Sequence, residues 1–323
     1  MPQPDQTISV IVPVYNERDN VGPLTDELLP VLRGLPQRTE LIFVDDGSRD
    51  GTAELLDGLA ADVPEISVVR LRRNFGKAEA LMAGFNVAVG DILITIDGDL
   101  QDDPKEIPRM LAELDKGFDL VTGWKHDRQD PISKRLPSKV FNGVTRWASG
   151  VPLHDLNCGF KVYRSEVVDS LALAGDQYRY IPVLAAHEGF SVGELAVNHR
   201  AREHGSSKYG FERYLRGFLD LLTITFLGRY RHRPMHLFGG LGVAAFVLGV
   251  LISAYLTVLR LLGHGIGNRP LLLLGVLLIL VGMQFLTIGL VSEMIQRHHL
   301  RPASEEAASR VKEVIGRSTD PAA

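Results

Sequence analysis

Two long stretches without a charged side chain set the first limit on how this chain can fold. Pro234–Leu259 runs for 26 residues and Pro270–Ser292 for 23, with Arg260, His264 and Arg269 confined to the short link between them. At about 1.5 Å rise per residue, either run as a helix exceeds the roughly 30 Å hydrocarbon layer of a bilayer. Core helices of soluble proteins rarely go so far without a charge. A transmembrane hairpin is therefore expected within residues 234–295, with spans near 234–260 and 270–293. Arg229, Arg231 and Arg233 precede the first span, and Arg297 and Arg301 follow the second. These outweigh the charge of the link, so both ends should face the cytoplasm.

The flanks fit that placement. In residues 209–233, Phe211, Tyr214, Leu215, Phe218, Leu221 and Leu222 recur at helical spacing, while Arg213, Arg216 and Asp220 fall elsewhere. Beside a span, this pattern predicts an amphipathic helix in the membrane interface. The polar tail, 296–323, is expected to be cytoplasmic, with one surface helix from Pro302 onward and no assigned function. The opening Met1-Pro2-Gln3-Pro4-Asp5 is neither basic nor apolar, so no secretory signal is expected and the N-terminal part should stay in the cytoplasm.

Charge is divided unevenly. Residues 1–120 hold 11 basic and 23 acidic side chains, a net of −12, whereas 121–323 carry a net of +8. That asymmetry argues against a nucleic-acid binder, whose basic patch would have to dominate. It suits a cation site followed by a surface that meets phosphate or an anionic membrane. The single cysteine, Cys158, excludes an internal disulfide framework and a Cys-rich zinc module.

Across the first 200 residues, short β-branched runs alternate with helical patterns. Strands are expected at Ile8–Val14, Glu40–Val44, Ile66–Leu71, Ile92–Ile96 and Leu120–Thr122, and helices at Leu24–Leu32, Thr52–Ala61, Lys77–Val87 and Lys105–Lys116. Such alternation means an α/β domain with a mainly parallel sheet and right-handed crossovers. Ligands of these sheets bind beyond the C-terminal strand ends.

The residues at those ends are chemically specific. Pro13-Val14-Tyr15-Asn16-Glu17 follows the first strand and Asp45-Asp46-Gly47-Ser48 the second. Tyr15 can cover a base, and Glu17 and an Asp can accept hydrogen bonds from ribose hydroxyls or base N–H groups, although singly these are also ordinary turn residues. After the fourth strand comes Asp97-Gly98-Asp99-Leu100-Gln101-Asp102-Asp103. Asp97 and Asp99 repel each other unless a cation bridges them, and with Gln101 they offer oxygen ligands to Mg²⁺ or Mn²⁺. Asp102 and Asp103, before Pro104, are expected to serve only as an acidic helix N-terminus. No phosphate-binding loop of the Gly-x-x-x-x-Gly-Lys-Ser/Thr type, no Gly-x-Gly-x-x-Gly after the first strand and no Gly-x-Ser-x-Gly elbow occurs. A P-loop enzyme, a nicotinamide enzyme and a serine hydrolase are thereby disfavoured.

With Arg73-Asn74-Phe75-Gly76-Lys77 added, these motifs resemble glycosyltransferase family 2, whose nucleotide-sugar-binding fold is of the GT-A type. Asp155-Leu156-Asn157-Cys158-Gly159-Phe160-Lys161 and Arg202-Glu203-His204-Gly205-Ser206-Ser207-Lys208-Tyr209 are similar to the polyprenyl-phosphate glycosyltransferases within it. The resemblance runs from about Ile8 to Tyr209, and the two-span hairpin fits the bacterial branch, which places the protein in the cell (inner) membrane. The Gln-x-x-Arg-Trp motif of processive polysaccharide synthases is missing.

The resemblance implies donor-nucleotide contacts at Pro13, Tyr15, Glu17 and Asp46, with Asp45 beside them, and metal binding by Asp97, Asp99 and Gln101 at the donor diphosphate. It implies that Arg202 and Lys208, on a loop closing over the site, clamp the leaving diphosphate. Of the basic stretch Lys125, Arg128, Lys134, Arg135 and Lys139, Arg128 with Lys134 or Arg135 is expected to cradle the acceptor phosphate, and Lys139 to be a solvated face. Where the family usually shows Gly-Ser-Arg, this chain has Gly123-Trp124-Lys125. Asp155 either orients the acceptor or sugar or caps a turn. Residues 1–208 are thus expected to transfer a sugar, with inversion, from a UDP- or GDP-sugar to undecaprenyl or dolichyl phosphate. The small residues Gly239, Gly240, Gly242 and Ala245 of the first span permit homo-oligomers. Two rival readings are a glycosyltransferase with another acceptor and a lipid-sugar transporter. The second is weakened by spans with few polar residues, Ser253, Thr257, Gln284 and Thr287.

Overall fold

The computed structural model describes residues 5–125, 153–155, 158–171, 173, 177–200, 234–263, 265, 270–298 and 311–315. They form two compact units, residues 1–225 with 302–323 and residues 226–301. The expected amphipathic helix of residues 209–233 lies outside the described residues.

The first unit is built on β1 (Thr7–Val14), α1 (Arg18–Arg33), β2 (Arg38–Asp45), α2 (Thr52–Asp62), β3 (Ile66–Leu71), α3 (Lys77–Val87) and β4 (Ile92–Thr95). There follow a 3₁₀ turn (Pro104–Glu106), α4 (Ile107–Leu114), β5 (Leu120–Lys125), β6 (Lys161–Arg164), α5 (Ser165–Asp169), a second 3₁₀ turn (Gln177–Tyr180), α6 (Ile181–His187) and β7 (Val192–Val197). The strands order as β7-β5-β6-β4-β1-β2-β3-β8, where β8 is Val311–Ile315. β2 and β4 flank β1 in parallel and β3 continues parallel to β2, whereas β6 and β8 run antiparallel to their neighbours.

Strand alternation divides the interior. Val10 and Val12 of β1 and Leu41 and Phe43 of β2 join one apolar cluster with Leu24 and Leu28 of α1, while Ile11, Ile42 and Val44 join another with Ala80 and Phe85 of α3. Both faces of the central strands are covered, which explains their unbroken apolar runs. The chain steps outward from β1 to β3, then crosses back to place β4 on the other side of β1. That reversal opens a crevice beyond the C-terminal ends of β1 and β4.

Sequence periodicity missed β6, β7 and β8, and its fourth helix divides into the first 3₁₀ turn and α4. The tail also departs from its expected helix. Val311–Ile315 pairs antiparallel with β3, Val69 opposite Val314. An edge strand carries unpaired N–H and C=O groups, and β8 satisfies those of β3.

In the second unit, α7 (Pro234–Leu261) and α8 (Pro270–His298) are long and apolar enough to cross a membrane. They pack closely on each other: a Cβ on Gly242 would lie 2.9 Å from the Gly282 carbonyl oxygen. Gly242 is therefore taken up inside the hairpin.

Candidate active site

A cavity of about 410 Å³ opens at the crevice. Pro13, Tyr15 and Glu17 line it from the exit of β1, and the Tyr15 ring is partly exposed. Asn16, at φ 54°, ties this turn to the one after β2. Its N–H donates to Ser48 Oγ at 2.9 Å, and its Oδ1 accepts the Arg49 N–H at 2.9 Å.

Asp46 lines the same cavity and fastens a third loop, accepting the N–H groups of Phe75 at 2.7 Å and Gly76 at 2.9 Å. Burial pushes its pKa up, against the pull of those two hydrogen bonds. Gly47, at φ +72°, makes the approach possible: a Cβ there would lie 2.6 Å from the Arg73 carbonyl carbon. Asp45 does not reach the cavity wall. Paired in register with Arg70 of β3, it is buried, accepts the Ser48 N–H at 2.9 Å and sits 3.7 Å from Arg70 Nε. From there it braces the turn that carries Asp46.

Asp97 and Asp99 follow β4 and share the cavity wall with Lys77, the first residue of α3. Lys77 Nζ donates to Asp97 Oδ1 as an ion pair and lies 5.1 Å from the centre of the Tyr178 ring. Burial alone would lower the Lys77 pKa, but the charge and hydrogen bond of Asp97, with Tyr178 and Asp102, together raise it. Gly159 abuts Asp97 so closely that any Cβ there would collide with the carboxylate. The turn beyond is tightly wound, with Leu100 at φ 61° and the Gln101 N–H 3.3 Å from Asp99 Oδ1. Gln101 itself is not in the cavity wall.

Among the described residues no group of three or more His, Cys, Asp or Glu side chains gathers as a metal site. Two carboxylates in one wall are nevertheless what Mg²⁺ takes when substrate phosphates and waters complete its shell. The Lys77 ion pair shows that this wall receives positive charge. The residues fit a hard divalent cation.

Asp103 caps the first 3₁₀ turn as expected, accepting the Lys105 N–H at 3.1 Å. Asp102 does not share that role. It is buried 3.2 Å from Lys125 Nζ and 3.6 Å from His199 Nδ1, a correction that the local sequence could not supply because both partners are distant in the chain. Asp155 is buried away from the cavity wall, its N–H and that of His154 donating to Glu194 at 2.8 Å. Beneath Asp97, burial pushes the Cys158 thiol up to about 12 and the Lys161 amine down to about 8. Arg128, Lys134, Arg135, Lys139, Arg202 and Lys208 lie outside the described residues. Lys77 stands inside the Arg73–Lys77 motif, but nothing local marks it as a partner of Asp97, which is distant in the chain. Tyr178 and Arg179, also in the wall, had no local signal at all.

The model for "Glycosyl transferase family 2" matches residues 9–171. The chain is 42% identical over 305 residues to the dodecaprenyl-phosphate galacturonate synthase of Rhizobium johnstonii, covering 91% of this chain and 89% of that protein. It is 35% identical to an undecaprenyl-phosphate 4-deoxy-4-formamido-L-arabinose transferase of Pseudomonas savastanoi pv. phaseolicola, covering 99% and 96%. Among solved structures, glucosyl-3-phosphoglycerate synthase from Mycobacterium tuberculosis, in complex with Mn²⁺, UDP-glucose and phosphoglyceric acid, superposes with a TM-score of 0.54 over 69% of this chain and 79% of that one. At 22% identity that likeness is one of fold. The family match over half the chain, and near full-length relatives that place sugars on polyprenyl phosphates, make this protein a member of glycosyltransferase family 2.

Proposed function

We propose that this enzyme transfers a sugar from a nucleoside-diphosphate donor to a polyprenyl phosphate at the cytoplasmic face of the inner membrane, with inversion at the anomeric carbon. One observation carries the reading: a single cavity at the β1/β4 crevice gathers an exposed aromatic ring, Tyr15, and a carboxylate pair, Asp97 and Asp99, beside an ammonium, Lys77. That set suits a base, a diphosphate and its counter-charge.

In this reading Tyr15 covers the base, and Glu17 and Asp46 accept from ribose or base. Each Asp46 oxygen already takes one backbone N–H and retains a second lone pair. Asp97 and Asp99 would hold Mg²⁺ or Mn²⁺, which when bound supplies positive charge beside the donor diphosphate. Lys77 adds a second cation to that wall. The lipid phosphate is already ionised at neutral pH, so its oxygen attacks the anomeric carbon without a strong base. The bond to the diphosphate oxygen breaks as the new C–O bond forms. Arg128 with Lys134 or Arg135 would hold the lipid phosphate in line, and Arg202 and Lys208 the leaving diphosphate.

The hairpin supports a membrane-bound acceptor. The full-length protein in nanodiscs, given a panel of UDP- and GDP-sugars, should release nucleoside diphosphate with one donor only when a divalent cation and undecaprenyl phosphate are both present. Release that depends on a free sugar instead would refute the acceptor assignment.

A further inference from the structure

Outside the cavity, the carboxylate of Asp102 is fully buried between one ammonium, Lys125, and one imidazole, His199. Lys125 Nζ, at the end of β5, lies 3.2 Å from its Oδ1 and His199 Nδ1, just past β7, lies 3.6 Å away. Neither Asp102 oxygen has a hydrogen bond of good geometry among the described residues. A buried carboxylate is retained at a cost unless close charges compensate it, so this one calls for an explanation. The backbone adds to the grip. Asp102 and His199 form an antiparallel bridge, and the Arg200 N–H donates to the Gln101 carbonyl at 2.8 Å. Arg200 then spans from Asp103, at 3.0 Å, to Glu27 of α1, at 2.8 Å.

We propose that Asp102 is a positioning residue, which through Lys125 and His199 fixes the Asp97–Gln101 turn so that Asp97 and Asp99 present their carboxylates to one divalent cation. The inference rests on the metal role given to that pair above. Its physical basis is that the turn has a strained residue, Leu100 at φ 61°, and must be held from beyond its end. Asp102, next after Gln101, is where the holding groups converge.

The test uses the full-length protein in nanodiscs and variants Asp102→Asn, Lys125→Gln, Lys125→Arg and His199→Gln. Free Mn²⁺ is followed by electron paramagnetic resonance during titration, kcat is measured at saturating Mn²⁺, and melting temperature reports folding. Asp102→Asn and Lys125→Gln should each weaken Mn²⁺ binding and lower kcat by about tenfold or more at temperatures where they are fully folded. His199→Gln should do so less, and Lys125→Arg, which keeps the charge, should stay near wild type. A folded Asp102→Asn protein with the wild-type Mn²⁺ constant and kcat would overturn the proposal. So would equal impairment in Lys125→Gln and Lys125→Arg. If Asp102→Asn fails to fold, the two Lys125 variants decide. If the wild-type protein transfers no sugar, the proposed function fails, and the Mn²⁺ titration still decides whether Asp102 positions the turn.

Discussion

Lys77 on the first turn of α3 and Asp97 beyond β4 form an ion pair inside the wall of the cavity, each with a side chain 28% exposed. Two carboxylates and an ammonium therefore share one surface, and a divalent cation bound there would compete with Lys77 for the charge of Asp97. Lys77→Met removes that competitor together with a cation that the diphosphate would use. The Mn²⁺ dissociation constant should fall severalfold while kcat drops by about tenfold or more, the two effects running in opposite directions. Titration of Mn²⁺ alongside steady-state kinetics checks both.

Asp99→Ala should leave the fold intact, because the carboxylate lies at a strand exit rather than in either apolar cluster. It should lower kcat by on the order of 10³ and abolish metal-dependent donor binding. Calorimetric titration of donor with and without Mn²⁺ measures the second effect. Undiminished metal dependence would remove Asp99 from the cation site.

Lys161 makes stability depend on pH. Its amine is buried, donates to the Cys158 carbonyl and has its pKa lowered to about 8 by burial, from 10.5. Between these values the unfolded chain binds a proton that the folded protein does not, so this group makes stability rise as pH rises from about 8 to 10.5. Below pH 8 the buried charge costs on the order of 3 kcal/mol. Lys161→Met should therefore be more stable than wild type at pH 7, and the gap should shrink above pH 8. Melting curves of both proteins across pH 7–10 test the sign.

A chain ending at Arg310 keeps both spans but loses β8. Those amides of Val68–Leu71 that face β8 in the full chain should exchange about tenfold faster or more, while donor binding is retained. Hydrogen exchange read by mass spectrometry distinguishes the cases. Unchanged protection of β3 would mean that the tail does not cover that edge.

The elements encoded in contiguous residues were legible in the sequence. β3 and α3 have the bounds that their residues alone predict, Ile66–Leu71 and Lys77–Val87, because a short run rich in β-branched residues and an uninterrupted helical pattern each contain their own signal. The charge-free runs of α7 and α8 announced themselves by length. Tyr15, Glu17, Asp97 and Asp99 could be named because the C-terminal ends of parallel strands are where such a sheet binds ligands. What depends on pairing between distant segments could not be read. β6, β7 and β8 are short, and β8 is a strand only because β3 offers it an open edge. Asp45 and Asp46 are neighbours with identical side chains, and only the register with Arg70 turns one inward while the Gly47 approach turns the other to the cavity. Asp102 looks like one more acid at a helix start until folding brings Lys125 and His199 beside it. Local pattern specifies backbone conformation within a few residues, whereas the fate of a charge is set by which distant groups the fold places within a few ångströms of it.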